Sequence, residues 1–97
     1  MKQVFSEKDL QMIGLRIDQL IREHGLTNEE IAEGVHLFPT DISQVRGGQA
    51  RWLTHDHLRD FNRILHLMEG RERKGTSLSD ETVEQLFLGG LPPEYKY

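Results

Sequence analysis

His55, Asp56 and His57 form the densest group of metal-ligating or proton-transferring side chains in this 97-residue sequence. Ligands on one helix face must be three or four residues apart, so that successive turns aim them at one point. His55 and His57 are two apart and diverge, which argues against a metal centre. His24 falls near a helix end, where a protonated ring would favour the dipole, and His66 falls on the polar flank of a later helix. No serine or paired carboxylate stands in a recognisable catalytic setting. The chain has no cysteine, so a thiolate zinc site, a thiol nucleophile and a disulfide framework are all excluded. The chain reads as a non-enzyme with no cofactor.

The elements that carry the remaining polar side chains follow from spacing. Ser6 with Asp9 resembles a capping box and opens a helix in which Leu10, Ile13, Ile17, Leu20 and Ile21 recur at helical spacing, ending near His24 with Gly25 as its cap. Thr27, followed by Asn28, Glu29 and Glu30, caps a short helix through Ile31 and Ala32, whose length Gly34 is expected to limit. Pro39 suits the first turn of a third helix with Ile42 and Val45 on its apolar edge, stopped by Gly47 and Gly48. Thr54 caps a fourth helix bearing Leu58, Phe61, Ile64, Leu65 and Met68, with Gly70 at its end. Residues 70–77 read as a polar linker, and Ser79 caps a last short helix carrying Val83, Leu86 and Phe87 before Gly89 and Gly90. The two prolines of the LPPEYKY ending exclude a helix there.

Composition limits the class. A chain of this length can bury roughly two thirds of its unfolded surface in one core, and without disulfides that core must rest on apolar packing. No apolar stretch approaches the roughly 20 residues a membrane span needs, and the first residues lack a signal-peptide core. A cytoplasmic protein with no membrane partner is expected. Twelve Lys and Arg against sixteen Asp and Glu give a net charge of −4. Six of the basic residues fall between positions 49 and 75, against one between 26 and 48. Positive charge is therefore concentrated just after the third helix.

The segment LTNEEIAEGVHLFPTDISQV places a small Ala32 between inward-facing Ile31 and Val35, an anchoring Leu37, and Ile42 and Val45 on the next helix. From Leu26 to Gly48 it resembles, without gaps, the helix-turn-helix of the lambda repressor and Cro superfamily, often called the Xre family. The resemblance implies an all-α, five-helix lambda-repressor-like DNA-binding domain. Its core would span residues 1–70, followed over 71–97 by a linker, a short helix and a tail able to serve as a dimerisation segment. His36 stands where the family usually has a turn glycine, so it must accept an unusual backbone angle. Phe38 and Pro39 occupy places usually taken by small or polar residues, and Gly47 one usually charged.

With Ile42 and Val45 inward, a rotation of about 100° per residue puts Thr40, Ser43, Gln44 and Gly47 on the opposite side, where a recognition helix meets the major groove. Gln44 is the expected base reader, because an amide donates to and accepts from adenine at once. Thr40 and Ser43 can touch bases or phosphates, and Asp41 either meets a cytosine amino group or lies outside the contact. The resemblance gives Asn28, at a helix N-terminus, a phosphate. Arg46, Gln49 and Arg51 lie in or beside a glycine-rich connection able to approach the DNA backbone, whereas Arg71, Arg73 and Lys74 chiefly solubilise the linker. The expected function is a sequence-specific transcriptional regulator of repressor type on double-stranded DNA. It is expected to act as a homodimer joined through the apolar cluster of residues 78–91. The competing reading is a protein-interaction module with an antirepressor or antitoxin-like protein partner, favoured by the acidic balance and by Phe38 and Pro39.

Overall fold

The computed structural model describes residues 3–65 and 78–89, which form five helices and no strand. Expectations for His66, Met68, Gly70, the linker, its basic residues and the proline-containing ending lie outside the described residues. Helix α1 spans Glu7–His24, with the Ser6 hydroxyl accepting from the Asp9 N–H at 3.1 Å and Gly25 closing it in the left-handed region. Its stripe of Leu10, Ile13, Ile17, Leu20 and Ile21 is buried. Helix α2 spans Asn28–Val35 and opens on a reciprocal capping box: Thr27 Oγ1 accepts from the Glu30 N–H, and the Thr27 N–H donates to Glu30 Oε1 at 2.9 Å. Helix α3 spans Pro39–Arg46, with proline in its first turn.

Helix α4 spans His55–Leu65 and α5 spans Asp80–Leu88. At the start of α4, His57 Nδ1 accepts from the Thr54 N–H at 3.0 Å, taking the part that a glutamate plays in a capping box. All five helices share one core, built from the α1 stripe together with Ile31, Val35, Ile42, Val45, Leu58, Phe61 and Leu65.

Helix α5 belongs to that core. Val83, Leu86 and Phe87 are buried in their own chain, where α5 packs against α1 and α4. Leu86 and Phe87 of the cluster expected to join two copies are thus spent on the fold, because a nine-residue helix needs tertiary packing to persist, while Leu88 is partly buried and Leu91 lies outside the described residues. Arg59 fastens it: the guanidinium donates to the Leu78 carbonyl at 2.9 Å, to Asp56 at 2.7 Å and to Asp80. The bonds to Asp80 and Asp56 raise the Arg59 pKa, and the bond from Arg59 holds the Asp80 carboxyl below its ordinary value. Beside them His55 Nε2 lies 3.1 Å from Glu84 Oε1, and its ring packs on Phe5.

Two glycines make room for distant elements. Gly34 does not end α2, which runs on to Val35; it clears space for Ile64 of α4, whose Cδ1 would lie 2.7 Å from a Cβ at that position. Gly14, which pattern alone leaves unremarked, lets α1 meet the end of α3 backbone to backbone. A Cβ there would stand 3.0 Å from the Gly48 nitrogen and closer still to the Val45 carbonyl.

Candidate nucleic-acid interface

Helices α2 and α3 pack on each other across a three-residue connection, and local chemistry fixes each bend. His36 adopts φ 59°, the expected unusual angle, and among the described residues it is the one non-glycine with positive φ. The Leu37 N–H then returns to the Ala32 carbonyl at 3.0 Å. Phe38 has no side-chain acceptor to cap α3, so Asp41 does half the work: its carboxylate accepts from the Phe38 N–H at 3.0 Å. Asp41 thus acts as a cap at the first turn of α3.

Ile42 and Val45 are buried, while Thr40, Ser43, Gln44 and Gly47 are exposed, as their rotation around the helix predicts. An open cleft of about 420 Å³ runs between the start of α2 and this face, lined by Asn28, Glu29, Pro39, Thr40, Ser43 and Arg46. Three of the expected contact residues are joined inside it. Arg46 Nη1 donates to Asn28 Oδ1 at 2.7 Å, and Asn28 Nδ2 donates to Ser43 Oγ at 3.1 Å. Arg46 Nε in turn donates to Asp18 Oδ1 of α1 at 2.7 Å, and Arg22 meets the other oxygen at 3.0 Å. The bond from Arg46 holds the Asp18 carboxyl below its ordinary pKa.

This chain changes what Arg46 can do. Its charge is matched by Asp18 and its side chain is only 22% exposed, so it serves first as a strut that orients Asn28 and ties α1, α2 and α3 together. Arg51 is the more available cation, 70% exposed and only 3.7 Å from an equally exposed Glu7, a pair of little worth in water. Gln49 is exposed, with its N–H on the Gln44 carbonyl at 2.9 Å, which keeps the connection after α3 close to the helix end.

Two aromatic side chains stand on this side of the molecule: Phe38, whose departure from the family pattern the sequence already shows, and Trp52, which sequence reasoning missed. Phe38 is 74% exposed at the leading end of α3. Trp52, the one tryptophan of the chain, donates its indole N–H to Gln44 Oε1 at 2.9 Å. A large aromatic inside a polar connection is the signal that could have drawn attention to it. His55 and His57 face different neighbours, Glu84 and Thr54 respectively, and no group of three or more metal-ligating side chains occurs among the described residues. No helix among them is long and apolar enough to cross a membrane. No family model matches this sequence, and searches of curated proteins and of solved structures return no match.

Proposed function

We propose that this protein is a sequence-specific DNA-binding regulator of transcription, of repressor type, which lays α3 in the major groove as the recognition helix of a lambda-repressor-like helix-turn-helix. The observation that carries the reading is the outward row of Thr40, Ser43 and Gln44 on a short helix seated by Ile42 and Val45. An α-helix of this kind fits the major groove, and hydroxyl and amide side chains are the groups that pair with base edges there. The start of α2 supports it, since a helix N-terminus flanked by Asn28 offers N–H donors to a phosphate. Gln49 and Arg51 flank the opposite end and supply further backbone contacts. Reading two half-sites about 34 Å apart calls for two copies, joined through a surface other than the buried side of α5.

A second reading, a protein-interaction module of antirepressor or antitoxin-like type, draws on the exposed Phe38 and on the matched charge of Arg46. One experiment decides between them. Selection from a random duplex library, followed by titration of the enriched sequence at two salt concentrations, is expected to yield a defined motif with an affinity that falls as salt rises. Recovery of no motif, with binding too weak to measure at low salt, would reject the DNA reading and leave the protein-interaction module.

A further inference from the structure

A glutamine amide on an open helix face can present either sense, oxygen or NH2, at a given point, because the two ends are nearly the same size. Free to flip, it reads an adenine of either strand. The acceptor N7 and donor N6–H of adenine appear in one order across the groove in A·T and in the reverse order in T·A. Holding the amide in one sense therefore adds to the discrimination between the two pairs that the position of the adenine edge and of the thymine methyl already gives.

Trp52 supplies that hold. An indole N–H only donates, so the amide end that meets it at 2.9 Å must be the oxygen, and the NH2 of Gln44 is turned away. The second lone pair of the oxygen stays available beside the NH2 for a base. The indole is itself braced, its ring meeting that of His57 edge-on with centroids 5.2 Å apart at 76°. His57 is fixed in turn by the Thr54 N–H at the first turn of α4. The brace thus runs from the scaffold to the tip of Gln44 through contacts already made in the free protein.

We infer that Trp52 is the specificity-determining positioning residue of this interface, fixing the sense of the Gln44 amide so that the protein prefers one orientation of an A·T pair over its inversion. The inference rests on the DNA-binding reading above and adds a residue and a discrimination which that reading lacks.

Two measurements test it. In the free protein, the one indole N–H signal in a proton–nitrogen NMR spectrum is expected to move and to exchange faster with water in Gln44→Ala; an unmoved signal overturns the inference whatever the DNA result. On DNA, the position read by Gln44 is the one whose preference disappears in Gln44→Ala. At that position Trp52→Phe, which keeps a ring but removes the donor, is expected to lower the A·T over T·A ratio about two- to tenfold, the worth of one hydrogen bond. The same change placed on Gln44→Ala should do nothing further to that ratio. Equal weakening on both pairs, or an unchanged ratio, overturns the positioning role while leaving DNA binding intact. Failure to select any motif overturns the DNA reading itself, and this inference with it.

Discussion

Asn62 lies fully buried in α4, and neither end of its amide has a hydrogen-bond partner among the described residues. A buried polar group left unpaired costs about 1 to 3 kcal/mol, and leucine keeps the same branched arrangement of heavy atoms without the polar ends. Asn62→Leu is therefore expected to stabilise the fold, by at most an amount in that range, read as a higher urea midpoint with an unchanged slope; a lower midpoint, in Asn62→Leu and in the smaller Asn62→Val alike, would show that the amide has a partner. On the exposed face of α3, Gln44→Ala is expected to cost about 1 to 3 kcal/mol on the selected site and almost nothing on random DNA. Competition titrations check this, and equal loss on both would remove Gln44 from base reading. Residues with near neighbours in sequence were legible in advance: Ser6, Thr27 and Ser79 cap the helices expected of them, and His36 takes the angle that its position in the turn demands. Asp18 was not legible, because its partner Arg46 is 28 residues away and no periodicity connects them. Trp52 was missed for a similar reason, since a donor bond from a loop to a helix tip leaves no pattern in spacing.

Between elements, α1, α2 and α3 are tied by the bonds from Asp18 through Arg46 and Asn28 to Ser43. The Asp18 pKa is lowered from 3.8 in the folded protein, first by its hydrogen bond from Arg46. A carboxyl with a depressed folded pKa contributes stability that is full above its unfolded value and is lost as the pH falls through the folded value. The stability difference between the native protein and Asp18→Asn is accordingly expected to be constant near neutrality and to shrink below pH 3.8. Urea titrations at a series of pH values measure it, and a difference that survives strong acid would assign the effect to packing. Helix order and most caps were readable because apolar period and capping chemistry are local. What Gly34 and Gly14 do was not, because each makes room for a distant element, Ile64 in one case and the α3 terminus in the other.

For the molecule as a whole, burial of α5 alters what removal of the C-terminal segment should do. A chain ending at Lys74 loses Val83, Leu86 and Phe87 from its core, and truncating one large buried apolar side chain alone typically costs 2 to 5 kcal/mol, roughly. Loss of cooperative thermal unfolding is expected, and a truncated protein that still melts sharply would show that α5 is dispensable to the core. Net charge works at the same scale. With −4 overall and Arg46 already matched by Asp18, the exposed Arg51 is, on the DNA-binding reading, the described cation beside α3 best placed to displace counterions. Arg51→Ala is expected to reduce the magnitude of the salt slope by about one unit. Glu7→Gln, which frees Arg51, is expected to tighten binding on all sequences alike. Titrations over a salt series read both, and an unchanged slope in Arg51→Ala would remove it from phosphate contact.

The bonded set of Arg46, Asn28 and Ser43 also bears on the heat of association. Segments that order on meeting a partner give a large negative heat-capacity change and a heavy entropic penalty. Here Asn28 and Ser43 are oriented by the protein's own bonds before any partner arrives, and immobilising such side chains at an interface would otherwise cost about 0.5 to 1.5 kcal/mol each. Calorimetry over a range of temperatures should therefore show a heat capacity of binding accounted for by the surface covered, with no added contribution from folding.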